Sequence, residues 1–160
     1  MYGRALPLTW IKLNTDAAFR GNGVGCGWVL RDDDGRFLAA KNMCFAGSYS
    51  VNEGEALSVR EALNWLMGIG MGNVEVEVDS QIVFNAVRSV PFVSAFGLLV
   101  GDIKELAATV GGVEFSFVRQ SANCAAHAIA REAFSEPGRG EWFDIPPPFL
   151  VSCLDYDLMN

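Results

Sequence analysis

The sequence predicts an α/β domain in which helices cover both faces of a five-stranded mixed sheet. Three β-rich segments in the first third of the chain are separated by short turns, which predicts an antiparallel meander. The hydrophobic period then lengthens from two residues to about 3.6, which predicts helices. Two later strands follow helical crossovers and should therefore run parallel to the first strand. The predicted order is βββαβααβα.

The predicted strands are bounded by turn residues. Asp32-Asp33-Asp34-Gly35 separates the second strand from the third, and Gly111-Gly112 precedes the fifth. The fourth strand, Val-Glu-Val-Glu-Val, alternates strictly between apolar and polar residues. In chain order the strands are expected at residues 11–19, 24–31, 36–45, 74–78 and 113–118.

Capping signals predict where the helices begin. Ser50 and Glu53 have the spacing of a capping box, in which a hydroxyl and a carboxylate satisfy the first free amides. Ser80 can cap a short helix, and Pro91 suits the first turn of a longer one. The helices are expected at residues 51–67, 81–87, 91–109 and 123–134.

The length of 160 residues fits one compact domain. After residue 134 the hydrophobic period is lost in a segment rich in Pro and Gly. We therefore expect a domain at residues 1–134 and a C-terminal tail at 135–160 that Trp142, Phe143 and Phe149 hold against the domain.

The net charge of −7 argues against a protein that grips phosphate through general positive charge. A role with nucleic acid must therefore depend on a local site. The N-terminus lacks the features of a signal peptide, and the most apolar stretch, 90–100, is too short to cross a bilayer. We expect an intracellular protein, nuclear or cytoplasmic and not secreted, that makes no contact with membranes.

The cysteines do not predict a zinc site, since they are far apart and the chain has one histidine. We expect Cys26, Cys44, Cys124 and Cys153 to be reduced and mostly buried, with no disulfide-linked partner.

Three carboxylates occupy positions that need a reason. Asp16 lies in the middle of a strand, where aspartate is depleted. Glu55 falls on the apolar stripe of the first helix, where a charge is costly, although an acid at a helix start can also lie near solvent. Asp79 ends the fourth strand, where sites are often built, although it could simply cap the next helix.

Carboxylates that converge from a strand, a helix and a second strand predict a hard-oxygen site for Mg²⁺. Two such ions can clamp the attacking and leaving oxygens of a phosphodiester. We therefore expect the carboxylates of Asp16, Glu55 and Asp79 to lie roughly 4 to 7 Å from each other. Such a site would also explain how an acidic protein handles a polyanion.

Four motifs resemble the ribonuclease H fold, and most closely its plant reverse-transcriptase-like subgroup, which is related to non-LTR retrotransposons. The motifs follow in the order and spacing of that family, and the resemblance covers about residues 10–150. They are the run 15–31 (TDAAFRGNGVGCGWVLR), Glu55-Ala56-Leu57 with Glu61-Ala62-Leu63, Val78-Asp79-Ser80-Gln81, and residues 123–127.

The resemblance implies a role for each matching residue. Asp16, Glu55 and Asp79 would hold two Mg²⁺ or Mn²⁺ ions, and water would cut the RNA strand to leave 5′-phosphate and 3′-hydroxyl ends. The residues implied to contact the hybrid near the cut are Gly21, Asn22, Asn52 and Gln81. For Asn22 and Asn52, ordinary turn and cap chemistry explains the residue equally well.

The chain departs from the family pattern at two places. His127 replaces the fourth acidic metal ligand; imidazole prefers softer metals than Mg²⁺, so a second ion would bind more weakly. The alternative is a histidine that is only packed or exposed on an alanine-rich helix. The segment 85–105 carries only Arg88 and Lys104, so the basic protrusion of some relatives is not visible.

The resemblance implies an endoribonuclease for the RNA strand of RNA/DNA hybrids that acts as a monomer. The main alternative is a catalytically weak or inactive module of retroelement origin that binds nucleic acid or a protein partner. A third class is another nuclease on the same fold, such as an exonuclease or a strand-transfer enzyme. The glycine turn after Asp16 favours the first class over the third.

Overall fold

The computed structural model describes residues 10–90 and 93–159, which form one six-stranded mixed sheet and five α-helices. Along the sheet the order is β5-β4-β1-β2-β3-β6. The first three strands and β6 pair antiparallel, while β4 runs parallel to β1 and β5 parallel to β4, as predicted. The strands are β1 (Ile11–Arg20), β2 (Gly23–Arg31), β3 (Phe37–Ala46), β4 (Val74–Val78), β5 (Val113–Phe117) and β6 (Glu141–Phe143).

The helices begin where the capping residues predicted. The Ser50 hydroxyl and the Glu53 carboxylate form the capping box of α1, and the Ser80 side chain caps α2. The third helix is an exception: Pro91 lies outside the described residues, but residues 93 and 94 are not helical, and α3 begins at Ala95 because the Ser94 side chain caps it. The helices are α1 (Val51–Ile69), α2 (Gln81–Ala86), α3 (Ala95–Val110), α4 (Cys124–Glu132) and α5 (Val151–Met159).

The sequence prediction of five strands was one strand short, because the C-terminal segment is more ordered than its composition indicates. β6 pairs with residues Ala39, Ala40 and Lys41 of β3. A three-residue strand between glycines and prolines is too short to show a period. The segment also contains α5, which the sequence analysis did not predict.

Aromatic contacts hold this segment against the rest of the chain. Phe143 stacks on Trp65 of α1 at 6.3 Å between ring centroids. Trp142 and Phe149 pack edge to face within the segment at 6.0 Å, and both pack against the hydrophobic cluster under α4. Leu150 is fully buried against residues of β2, β3 and α4. These contacts support a tail packed on the domain, while the boundary at residues 134 and 135 stays a prediction.

Two hydrophobic clusters lie on opposite faces of the sheet. On β2, the side chains of Cys26, Trp28 and Leu30 belong to the large cluster under α1, α2 and α3. Val29 belongs to the smaller cluster under α4 and α5. This alternation is the two-residue period of a strand buried on both faces.

The helix α4 packs directly against the backbone of β2. A Cβ atom at Gly27 would collide with the Ala130 backbone and the Ile129 side chain, and one at Gly25 would collide with the Ala130 carbonyl. The missing side chains on β2 and the alanines on α4 therefore set how close α4 comes to the sheet. That distance matters because α4 carries His127.

The expectation that most of the four cysteines are buried was wrong, and the expectation that they have no disulfide-linked partner stays a prediction. Cys26 is buried, Cys44 is exposed, and Cys124 and Cys153 are intermediate. Cys44 lies on β3 beyond the three residues that pair with β6, and Cys124 and Cys153 lie on α4 and α5 at the surface. Among the described residues, no helix combines the length and the apolar character that crossing a membrane requires.

We predict opposite effects for two glycine-to-alanine substitutions in urea unfolding. Gly27→Ala should lower the free energy of unfolding by roughly 1–3 kcal/mol, because the new methyl group pushes α4 away from β2. Gly68→Ala, at an exposed site in α1 with open space around it, should raise it by about 0.5–1 kcal/mol. Equal effects at both positions would show that α4 does not depend on close approach to β2.

Candidate active site

The carboxylates of Asp16, Glu55 and Asp79 lie together at a gap in the sheet. β4 pairs with β1 only along Ile11–Asn14, so β1 continues past the end of β4. Asp16 lies in this extension, Asp79 follows β4, and Glu55 reaches the gap from α1. One ligand oxygen from each carboxylate lies within 4.8 Å of the others, which agrees with the predicted spacing.

Asp16 is held rigidly at the centre of this group. It is 3% exposed, and its Oδ1 accepts a hydrogen bond from the Ala17 amide at 2.9 Å. The backbone on either side is also fixed, since the Ser58 hydroxyl donates to the Asp16 carbonyl and the Asn123 side chain donates to the Thr15 carbonyl. Its direction is therefore set by β1, α1 and α4 together.

His127 contacts Asp16 directly. Its Nδ1 lies 2.8 Å from Asp16 Oδ2, and 42% of its side chain is exposed. The hydrogen bond that His127 donates to the Asp16 carboxylate raises the pKa of His127 above its usual value, against the opposing effect of burial. The histidine thus lies in the candidate site, and its role as a metal ligand stays a prediction.

The structure does not fit the alternative roles of Glu55 as a helix-start acid near solvent and of Asp79 as a helix cap. Burial, followed by the charges of Asp16 and Asp79, raises the pKa of Glu55 to about 10, which does not describe a solvated helix-start acid. Ser80 caps α2, so the Asp79 carboxylate is not used as the cap. Burial and the charge of Asp16 raise the pKa of Asp79 to about 6, although a hydrogen bond from Asn123 opposes this.

The donor set suits a hard divalent cation. Three carboxylates at this distance repel one another, and the raised pKa values of Glu55 and Asp79 express the combined cost of burial and of this repulsion. A cation among them would replace the repulsion with attraction, and carboxylate oxygens are the ligands that Mg²⁺ and Mn²⁺ prefer. The residues present therefore fit a metal site.

The carboxylates line an open cleft of about 250 Å³, in which a phosphodiester could approach them. Its lining residues are Asp16, Ala17, Val51, Glu55, Asp79, Ser80, Gln120 and His127.

The four predicted substrate residues are not among the residues that line the cleft. Gly21 and Asn22 form the turn between β1 and β2, where Gly21 has a φ of +51°. Asn52 and Gln81 each follow a lining residue, in the first turns of α1 and α2. Their contacts with a hybrid therefore stay predictions.

The sequence analysis missed the polar residues that support the site. Asn123 was read only as the start of a helix, yet its buried side chain bridges α4 to β1. Ser58 and Gln120 were not singled out at all. One signal was available: Asn14 is a second polar residue on the same face of β1 as Asp16, two positions earlier.

The fold and the three-carboxylate cleft define a ribonuclease H-like domain. A sequence model described as reverse transcriptase-like matches residues 14–133. Since this match covers well over half of the sequence, the chain belongs to the reverse transcriptase-like family. The resemblance seen in the sequence is confirmed.

Known proteins of this kind are similar to the chain over most of its length. An Arabidopsis thaliana protein provisionally named a ribonuclease H protein is 29% identical over 154 residues, which are 94% of this chain and 25% of the relative. The chain thus spans about a quarter of that relative's length.

Two solved structures are similar in fold. The ribonuclease H1 of the archaeon Halobacterium salinarum superposes with a TM-score of 0.71 at 24% identity, covering 79% of this chain and 98% of the other. LC11 ribonuclease H1, solved with an RNA/DNA hybrid, superposes with a TM-score of 0.70 at 22% identity, with the same coverage.

We predict that the metal-free protein loses stability as the pH rises from 5 to 8. The pKa values of Asp79 and Glu55 are raised in the folded protein, so protonation of these groups stabilises the fold. This stabilisation is complete below their ordinary pKa values, and it is lost as the pH rises through about 6 for Asp79 and toward 10 for Glu55. The raised pKa of His127 acts in the same direction. The melting temperature in EDTA should therefore be higher at pH 5 than at pH 8.

Millimolar Mg²⁺ or Mn²⁺ should raise the melting temperature at pH 8 and raise it much less for Asp79→Asn. Asp33→Asn, in the exposed turn before β3, is the matched control and should respond like the unmodified protein. Equal stabilisation of all three proteins would place the bound ions elsewhere.

Proposed function

We propose that this chain is an endoribonuclease that hydrolyses the RNA strand of RNA/DNA hybrids. The observation that carries the proposal is the convergence of Asp16, Glu55 and Asp79 within 4.8 Å at a gap in a ribonuclease H-like sheet. Further support comes from the ribonuclease H name of the Arabidopsis relative and from the hybrid bound to LC11 ribonuclease H1.

The proposed cofactor is a pair of Mg²⁺ or Mn²⁺ ions held by Asp16, Glu55 and Asp79. Such ions supply positive charge at the attacking and leaving oxygens of a phosphodiester. The chain itself provides fixed carboxylates, since Asp16 is held through its own side chain and through the backbone on both sides. Preorganised charge of this kind does not have to reorient during the reaction.

His127 is proposed to orient Asp16 and to hold a proton at its Nδ1. A protonated ring pairs with Asp16 Oδ2, whereas a neutral ring leaves the carboxylate its full charge. The neutral form is the one that could also ligate a metal. Activity should therefore fall as the pH drops through the raised pKa of His127.

Local cations near the cleft would compensate for the acidic chain. Arg119 is exposed beside the lining residue Gln120, and Arg131 is close enough to His127 to lower its pKa. We propose both as contacts for hybrid phosphates, in addition to Gly21, Asn22, Asn52 and Gln81.

A second candidate is a catalytically weak module that binds nucleic acid or a protein. The net charge of −7 favours it. The two cations of the segment 85–105 also favour it, because both already have partners within the chain. Lys104 donates to the Ser89 carbonyl, and Arg88 lies over the Phe84 ring. The expectations of a monomer and of a nuclear or cytoplasmic location stay predictions.

Cleavage of a labelled RNA/DNA hybrid in Mg²⁺ and in Mn²⁺ tests the proposal. Asp16→Asn, Glu55→Gln and Asp79→Asn should each reduce kcat about a hundredfold or more, because each removes a charge from the metal site. Asp33→Asn should retain full activity. If the unmodified protein binds the hybrid without cutting it in either metal, the second candidate is correct.

Two substitutions of His127 should separate its roles. His127→Ala should reduce turnover with little loss of stability, since the ring is half exposed, and should move the acid limb of the pH profile to lower pH. His127→Asp offers a harder ligand and should increase the Mg²⁺ rate relative to the Mn²⁺ rate. If neither substitution changes rate, pH profile or metal preference, His127 is not part of the site.

A further inference from the structure

The N-terminus of α4 is capped from a distant part of the chain. Its own N-cap residue, Asn123, makes no side-chain cap bond. Instead the carboxylate of Asp157, on α5, accepts hydrogen bonds from the Cys124 and Ala125 amides, each at 2.9 Å. A carboxylate at this position satisfies free amides and interacts favourably with the helix dipole.

The Asp157 cap frees the Asn123 side chain for the site. Asn123 Nδ2 donates to the carbonyl of Thr15 at 2.9 Å, next to Asp16. Its Oδ1 accepts from Asn14 Nδ2 at 3.1 Å. The same side chain lowers the pKa of Asp79, against the larger rise that burial and the charge of Asp16 cause. Asn123 therefore ties the start of α4 to β1 beside Asp16 and also acts on Asp79.

A buried ion pair closes the connection from α5 back to β1. Arg31 Nη1 lies 3.7 Å from Asp157 Oδ2, and Arg31 Nη2 donates to Asn14 Oδ1 at 2.9 Å. Asn14 in turn donates to Asn123 and to Glu77. The links thus run from α5 through β2 and β1 to the start of α4.

This network is buried, although burial of charge is costly. Arg31 is 6% exposed and Asp157 is 9% exposed. Apolar residues in place of such a pair are often at least as stabilising, so stability alone does not explain why charges occupy these positions. The charged groups instead fix an orientation: their hydrogen bonds hold the start of α4 in place relative to β1.

We propose that Asp157 is a positioning residue for the proposed nuclease reaction: it fixes the start of α4 so that Asn123 and His127 meet the site carboxylates. This inference rests on the proposed function. It makes α5, which lies beyond the family match at residues 14–133, a working part of the active site.

Steady-state cleavage of a labelled hybrid tests the proposal in the full chain. Asp157→Asn keeps the size of the side chain but turns an N–H₂ group toward the α4 amides. Its kcat should fall roughly 10- to 100-fold, as expected for a small misplacement, with KM within about twofold. The matched control is Asp155→Asn, an exposed acid on the same helix, which should leave both constants unchanged.

A second measurement does not depend on activity. The chain has one histidine, so ¹⁵N NMR of the metal-free protein reports the His127 ring nitrogens without assignment work. In Asp157→Asn, the Nδ1 signal should move toward that of a solvated imidazole as the contact with Asp16 loosens. In Asp155→Asn it should stay in place. A purely structural role would lower the melting temperature without moving this signal.

Unchanged kcat and an unchanged His127 signal in folded Asp157→Asn would overturn the proposal, even with a lower melting temperature. If that variant does not fold, Arg31→Lys, which keeps the charge but weakens the bond to Asn14, is judged by the same two criteria. If the unmodified protein does not cut hybrids, the proposed function fails, and the NMR comparison alone decides whether Asp157 positions α4.

Discussion

Mutual repulsion among Asp16, Glu55 and Asp79 is the constraint on which the rest of this structure depends. Three carboxylates within 4.8 Å of one another oppose folding unless protons or cations are taken up. β1 extends past the end of β4, and the gap that results lets acids from both faces of the sheet meet. The surrounding elements must then hold the group together, and bonds to the Asp16 and Thr15 carbonyls from α1 and α4 do so.

The helix α4 helps to hold the carboxylates in place because it packs directly against the backbone of β2. Gly25 and Gly27 remove the side chains that would keep α4 away from the sheet. The close approach places His127 Nδ1 2.8 Å from Asp16 Oδ2, where the ring, when protonated, offsets part of the repulsion. The packing of α4 on β2 therefore also sets the electrostatic contact between His127 and Asp16.

Local sequence patterns predicted most of the fold. Two of the three carboxylates conflict with their own elements, Asp16 within a strand and Glu55 on an apolar stripe, while Asp79 was singled out because it ends a strand. The capping box of Ser50 and Glu53 and the cap at Ser80 predicted the starts of α1 and α2. The C-terminal strand and helix could not be predicted from a short segment rich in proline and glycine. The Asn14–Arg31–Asp157 network was out of reach, since its partners are separated by up to 126 positions and only the folded chain brings them together.

The acidity of the chain acts on its partners in two opposite ways. A net charge of −7 repels a nucleic acid at long range, where ionic screening weakens the effect beyond about 10 Å. At short range the three site carboxylates would attract divalent cations into the cleft, and ions bound there would reverse the local sign of the potential. Exposed Arg119 beside the cleft and Arg131 near His127 add positive charge at the same place. Binding of a hybrid should therefore depend on the metal as well as cleavage, because without cations the three carboxylates add to the repulsion of the phosphate backbone.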